Sequence, residues 1–148
     1  ANNITFLASG FTQIQALTIN QSTGDLYVFD YGSGRIKKIT PLGVVTNFAG
    51  DGTIGYLDGT LASAKFRKIL GLTFDSSGNL YCADQDSYTI RKISGGVVTT
   101  FAGVDGASGT TDGLGSIARF GAPRNIEYSA FDNSLYLNDG GVTIRKIT

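Results

Sequence analysis

"NLYCADQDSYTIRKISGGVVTTFAG", residues 79–103, contains three short apolar runs separated by turn residues, and parts of it recur along the chain. Its opening is repeated by "DLYVFD" at Asp25–Asp30 and by "SLYLND" at Ser134–Asp139. Its centre is repeated by "RIKKIT" at Arg35–Thr40 and by "TIRKIT" at Thr143–Thr148. The copies are 54 or 55 positions apart. A period of this length with Gly-rich punctuation lies at the long end of the range for propeller blades.

A full period contains four strand-like runs, which we call A to D. In the second copy they are "ILGLTFD" (69–75), "NLYCAD" (79–84), "TIRKIS" (89–94) and "VVTTFA" (97–102). Each run is short, rich in β-branched or aromatic residues and bounded by turn residues, which is typical of a strand. Both faces of these runs are apolar, as expected for a small sheet packed between two others. The pattern therefore predicts an all-β fold, a β-propeller with four-stranded blades.

The repeat also resembles a known family. The elements "GVVTTFAG....G..DG.....ARF..P..I" over Gly96–Ile126, with "GNLYCAD....TIRKI" in the preceding copy, resemble the NHL repeat. Four separated elements agree in order and spacing, and the resemblance covers essentially the whole chain. It implies a six-bladed propeller. The family includes scaffolds, RNA-binding domains, receptor-like sensor domains and a metal-dependent amidating lyase, so the resemblance implies a fold and leaves the function open.

We interpret residues 1–148 as a single three-bladed half-propeller. Residues 11–50 form blade 1 and residues 51–103 form blade 2. Residues 104–148 form blade 3, which lacks its D strand, and residues 1–10 are a D strand placed before the first A strand. That N-terminal strand, "NITFLASG", is similar to "VTNFAG" and "VTTFAG" in the complete blades.

Three blades do not close a ring, because propellers have four to eight. We therefore expect a homodimer that forms a six-bladed ring, with the D strand of each chain completing blade 3 of its partner by strand exchange. The expected seam residues are Ile4, Phe6, Ala8, Ile144, Lys146 and Ile147. Two alternatives are a piece of a longer propeller that packs differently and a non-propeller fold.

Composition restricts the partners. Twelve basic and twelve acidic residues give a formal net charge of zero, which argues against nucleic acid or an anionic membrane as the main partner. No apolar run approaches eighteen residues, so we expect no membrane span. The chain begins at Ala1 and contains no Met, which favours a processed, secreted or extracytoplasmic protein or a piece cut from a longer one. The single cysteine, Cys82, is predicted to be a buried structural thiol.

Catalytic residues are scarce. The chain has no histidine, which removes the usual general base, every His-based triad and the commonest transition-metal ligand. The lyase of the NHL family is thought to need metal and histidine, so the resemblance offers no lyase site. Asp-Gly pairs in the loops 50–66 and 103–120 do not match a calcium loop and are typical of turns. We expect no enzyme, cofactor or metal. Glu127, the single glutamate, is expected to face the central channel or a seam.

The remaining function class is a binding module. The loops between strands B and C place tyrosines beside amides and carboxylates, which suits protein, peptide or glycan ligands. The candidate ligand-binding residues are Asp30, Tyr31, Tyr56, Asp84, Gln85, Asp86, Tyr88 and Asp139. The third copy, "DGGVT", has no tyrosine there, so the site is not regular.

Two sets of recurring charges have a structural interpretation. The aspartates that end strand B are predicted to cap the following turn. The basic residues of strand C are expected to have a repeated structural role, such as pairing with an acid of a neighbouring blade. RNA binding is the competing interpretation for these cations. We therefore expect a self-associating, non-enzymatic scaffold or binding module. The alternative is a fragment of a larger NHL propeller with a ligand-binding or metal-dependent hydrolase or lyase role.

Overall fold

The structure is a computed structural model that describes residues 2–148. It is all-β, with twelve strands in three antiparallel sheets. The first sheet has the order β1-β2-β3-β4. Its strands are β1 (Ile14–Ile19), β2 (Leu26–Asp30), β3 (Arg35–Ile39) and β4 (Val45–Ala49).

The second sheet has the order β5-β9-β8-β7-β6, and the third has the order β10-β11-β12. The second contains β5 (Gly59–Thr60), β6 (Ile69–Phe74), β7 (Leu80–Asp84), β8 (Thr89–Ser94) and β9 (Val97–Gly103). The third contains β10 (Pro123–Ser129), β11 (Ser134–Asp139) and β12 (Thr143–Ile147). Three short 3-10 turns cover Tyr31–Ser33, Gln85–Ser87 and Gly115–Ile117. No helix within residues 2–148 is long and apolar enough to cross a membrane.

The predicted A to D strands are confirmed as β1–β4, β6–β9 and β10–β12. Each sheet is a meander because tight turns join neighbouring strands, such as the turn at Gly95 and Gly96, both of which have a positive φ. The sequence did not predict β5. This two-residue strand comes from the connection between the first two sheets and pairs with the outer edge of β9.

The core lies in two layers between the sheets. The first layer joins Phe29 and Ile36 of the first sheet to Leu72 and Cys82 of the second. The second layer joins Ile90 of the second sheet to Phe120, Ile126 and Leu137 of the third region. The sheets therefore pack face to face in chain order, which is why their strands are apolar on both sides.

The A strands β1, β6 and β10 lie side by side along one edge of this stack. β6 and β10 approach closely at Gly71, where a Cβ atom would be 2.3 Å from the Arg124 carbonyl oxygen and 2.7 Å from the Ile126 nitrogen. The backbone N–H of Tyr128 donates to Oγ1 of Thr73 at 3.1 Å across the same junction. The second and third sheets are thus held close at their inner edge.

The N-terminal segment, residues 2–10, forms no strand in the single chain. Ile4 and Phe6 are almost fully exposed. The segment is fixed at its end, where the Gly10 carbonyl oxygen accepts a hydrogen bond from Lys37 Nζ at 3.0 Å and the ring of Phe11 lies 5.4 Å from that nitrogen. The D-strand assignment therefore stays a prediction about assembly.

Candidate functional sites: the rim, the inner cleft and the open edge

The aspartates that end strand B do not cap the next turn, so that prediction is wrong. Asp84 instead accepts the backbone N–H groups of Lys68 at 2.8 Å and Arg67 at 3.2 Å, and it lies 3.6 Å from Arg91. The turn itself is held by the hydroxyl of Ser87, which donates to the Asp84 carbonyl oxygen. The side chain of Asp84 therefore ties strand B to the segment that enters strand A.

The same arrangement recurs in the other two sheets. Oδ1 of Asp30 accepts the N–H groups of Thr12 and Gln13, and its Oδ2 lies 2.7 Å from Lys37 Nζ. Asp139 accepts the N–H of Ala122 at 2.7 Å and lies 3.2 Å from Arg145. These side chains are committed to internal contacts, and all three aspartates are buried. The structure gives no support to a ligand role for these carboxylates.

Local environment shifts the pKa values of two of these groups in opposite directions. Burial raises the pKa of Asp84, and the hydrogen bonds from Lys68 and Arg67 only partly oppose this. Burial also acts to raise the pKa of Asp30. There, hydrogen bonds from the Gln13 N–H, Lys37 and Thr12 outweigh it and hold the pKa well below its usual range.

Arg91, in β8, has a fully buried side chain that joins the loop 50–66 to the second sheet. It donates to the carbonyl oxygens of Lys65 and Leu57 at 3.0 and 2.9 Å and to Asp58 at 2.5 Å. Its guanidinium carbon lies 4.5 Å from the ring centroid of Tyr56. Tyr56, a predicted ligand residue, therefore covers this arginine and helps to hold the long loop in place.

The other predicted ligand residues do not converge on one site. Tyr31 packs edge-on against Phe29, with ring centroids 6.4 Å apart. Gln85 and Tyr88 are half-buried, and Tyr88 ends its turn with a φ of 59°. Among the eight candidates only Asp86 is exposed. The pairing of the strand-B aspartates with cations does have a sequence signal. Asp30 and Asp84 each lie seven positions before their basic partner, Lys37 or Arg91, across a hairpin.

The recurring cations pair within their own sheet or with its entering loop, and not with the acid of a neighbouring blade that was one expected role. Lys38 Nζ lies 3.2 Å from Asp25, and Lys146 Nζ lies 2.9 Å from Asp132. Lys92 lies over the ring of Tyr81 at 5.4 Å. Carboxylates thus compensate the charges of Lys38 and Lys146, whereas Lys92 contacts an aromatic ring.

A cleft of about 680 Å³ runs along the inner strands and opens at the turns between strands A and B, opposite the B to C rim. Leu17 and Thr18 line it from β1, Thr73 from β6, and Glu127 and Tyr128 from β10. Glu127 is exposed and lines this cleft, while its expected position at a central channel or a seam stays a prediction. Residues 2–148 contain no group of three or more acidic or cysteine side chains that could hold a metal ion.

A second groove, of about 640 Å³, lies beside β12. Its walls are residues 143–148 on one side and the loop 112–115 on the other, with Phe101, Ala118 and Phe120 among the residues between them. Among the described residues, no strand pairs with the free edge of β12. We call this groove the β12 slot.

The two outer faces of the stack expose residues that are buried elsewhere in the repeat. Ile144 is 71% exposed, whereas its counterparts Ile36 and Ile90 are 0% exposed. Leu17 is 60% exposed, whereas its counterpart Leu72 is 5% exposed. Strand register defines these counterparts. Each inner sheet face is covered by the next sheet. Within residues 2–148, no other sheet packs on the outer face of the first or the third sheet, although Gly10 and Phe11 contact Lys37 on that face of the first.

Comparison with known proteins supports the fold. No family model matches the chain, so the NHL repeat is not confirmed specifically. The chain is 34% identical over 71 residues to the chloroplast protein SUPPRESSOR OF QUENCHING 1 of Arabidopsis thaliana, which covers 47% of this chain and 7% of that protein. It is similar to a solved structural genomics protein of unknown function from Bacteroides thetaiotaomicron, with 30% identity, a TM-score of 0.81, and coverage of 88% and 34%.

Other similar structures have different functions. An auxiliary nutrient binding protein from Bacteroides thetaiotaomicron is 22% identical, with a TM-score of 0.76 and coverage of 89% and 36%. A streptogramin B lyase is 18% identical, with a TM-score of 0.59 and coverage of 91% and 37%. The chain thus spans about a third of the length of these structures. Because the solved structures it resembles are propeller-like proteins, the three sheets are best described as propeller-like blades.

Proposed function

We propose that the chain is a half-propeller that joins a second copy into a six-bladed, NHL-type ring, and that this ring is a non-enzymatic binding scaffold. The two apolar faces without neighbours support the ring most strongly. Leu72, the counterpart of Leu17, packs against the preceding sheet. Ile90, the counterpart of Ile144, packs against the following one. In a ring of two copies related by a two-fold axis, each of these faces would be covered by the other copy, and no edge would stay open.

A competing source for the missing neighbours is a longer protein that contains this segment. The matched structures are about three times as long as the aligned part, so further blades in the same polypeptide would serve equally well. The two possibilities differ in one observable, because only the first requires the 148-residue chain to dimerise by itself.

Light scattering coupled to gel filtration, over a hundredfold range of concentration, tests the ring. The chain has a mass of 15.5 kDa, so the ring predicts twice that, about 31 kDa. Leu17→Asp should give the monomer, because a charge would be buried without a partner in the seam. Leu42→Asp is the matched control, since Leu42 is 91% exposed on the turn between β3 and β4 and belongs to no strand. A wild-type chain of 15.5 kDa at every concentration would refute the ring.

For the scaffold role, the inner cleft is a better candidate ligand site than the B to C rim. Its size is in the range of small-molecule sites, and it combines apolar Phe74 with the polar groups of Thr18, Thr73 and Glu127. The ring would bring two such clefts together around its axis. The structural similarity to a nutrient-binding protein is compatible with this role and supports only the fold.

A glycan array and a peptide array, both with the purified dimer, test the scaffold role. The affinity for a ligand found in this way should fall by about tenfold or more in Glu127→Gln if the ligand donates a hydrogen bond to that carboxylate. It should be unchanged in Asp86→Asn, which alters the exposed rim residue. A ligand that responds to Asp86→Asn alone would place binding on the rim instead.

A further inference from the structure

We infer that the β12 slot is a two-sided receptor for a β-strand, in which Asp112 accepts a backbone N–H of the incoming strand. The occupant is residues 3–8 of a second copy. This inference rests on the proposed ring and adds to it the residue that places the exchanged strand.

The second sheet shows how a filled slot is built. There β9 lies between β8 on one side and β5 on the other. Oδ2 of Asp58 accepts the backbone N–H of Thr100, in β9, at 2.9 Å, while its Oδ1 pairs with Arg91. Asp58 thus connects the C strand, the entering loop and the D strand of one blade.

The third sheet has the same parts without the D strand. Arg145 Nη2 lies 2.6 Å from Asp112 Oδ1. Arg145 also donates to the carbonyl oxygens of Arg119 and Thr111 at 3.0 and 3.2 Å. These contacts correspond to those of Arg91 with Lys65 and Leu57. The loop wall of the slot is therefore already in position.

The carboxylate of Asp112 can accept a further hydrogen bond. Its side chain is 92% exposed, compared with 42% for Asp58. Within residues 2–148, no backbone N–H donates to it, whereas Asp58 accepts that of Thr100. A carboxylate oriented by an arginine and facing an open strand edge is a strong acceptor for the N–H of an added strand.

Length and position favour the N-terminal segment as the occupant. The five residues of β12 extend about 17 Å and the six residues 3–8 about 20 Å, at about 3.3 Å per residue. Alternate residues Ile4 and Phe6 are apolar and exposed, as a strand with one buried face requires. The segment leaves the first sheet where Gly10 is held by Lys37, beside the face that a second copy's third sheet would cover.

The decisive variant is Asp112→Ala, measured by analytical ultracentrifugation. Loss of one charge-assisted hydrogen bond at each of two seams should raise the dimer dissociation constant by about a hundredfold, tenfold per seam. Asp105→Ala is the matched control. It removes an aspartate of the same loop that pairs with Arg67 at 3.1 Å, away from the slot, and should leave the constant within about threefold. Equal constants for Asp112→Ala and wild type would overturn the role of Asp112.

Mixing two cysteine variants identifies the occupant. One carries Thr148→Cys at the end of β12, and the other carries a single cysteine at position 3, 4 or 5. Cys82 is buried and does not compete. A disulfide-linked heterodimer that forms only after mixing supports strand exchange. A wild-type dimer without any such crosslink would refute the occupant and leave the ring standing, whereas a monomeric wild type would refute the ring itself.

Discussion

Replacing Arg91 by methionine should destabilise the fold strongly, because it leaves Asp84 buried without its cation. Both side chains are 0% exposed, and the guanidinium also satisfies the carbonyl oxygens of Leu57 and Lys65. Breaking one partner of a buried pair typically costs about 3–5 kcal/mol, against a total stability of about 5–15 kcal/mol for a domain. We therefore expect Arg91→Met to remove a fifth or more of the free energy of unfolding.

The pH dependence of this loss distinguishes an unpaired carboxylate from simple loss of packing. Burial already raises the folded-state pKa of Asp84 above its unfolded value, and removal of Arg91 should raise it further. A charged Asp84 therefore reduces stability at pH values above its folded pKa. This cost disappears as the pH falls through that pKa towards the unfolded value, about 4. The difference between Arg91→Met and wild type should be largest at pH 7 and smaller at pH 5.

Urea denaturation followed by circular dichroism, at both pH values and constant protein concentration, measures these effects. Lys92→Met is the matched control on the same strand. Lys92 is half-buried and lies over Tyr81 and Phe101, so its loss should cost about 0.5–1 kcal/mol with little pH dependence. A cost below about 1 kcal/mol for Arg91→Met, or a larger cost that is the same at pH 5 and pH 7, would refute the proposed role of the buried pair.

Three further predictions concern single positions. Gly71→Ala should lower the free energy of unfolding, measured by urea denaturation, by about 1–3 kcal/mol, because the new methyl group would meet the backbone of β10 at 2.3 Å. An unchanged free energy would show that the inner strands separate easily. Cys82 should not react with a thiol reagent at pH 8 until urea is added, since burial raises its pKa and blocks access; rapid reaction in the native protein would contradict this. Asp30→Asn should destabilise the protein at pH 7, and this difference should shrink below about pH 4, because the lowered folded pKa of Asp30 contributes stability that is lost as the pH falls through it. A constant difference between pH 7 and pH 3 would refute a stabilising role for the charge of Asp30.

Much of the fold was predictable because its signals are local. Alternation and turn residues recur at a nearly constant spacing, and they located eleven of the twelve strands. The missed strand, β5, consists only of Gly59 and Thr60, which are too few to show alternation and which pair with β9 through the fold alone.

The candidate site was less predictable. Asp30 and Asp84 were identified as recurring residues, but their partners lie 16–18 positions away, in the segments that enter strand A. Tyr56 looked like a ligand residue because an exposed loop tyrosine often is one, yet it covers a buried arginine 35 positions later. Such pairings depend on how the sheets stack, which no local pattern reports.

The sequence by itself therefore determined the blade, because a 54-residue period with short apolar runs and glycine turns has few other structures available. It also indicated, through "NITFLASG" before the first A strand, a candidate D strand outside the three repeats. Only the tertiary structure decided which recurring charges are structural, because burial depends on the neighbouring sheet. It likewise decided which apolar residues are left uncovered: Leu17 and Ile144 have the same character as their buried counterparts and differ only in having no blade beside them.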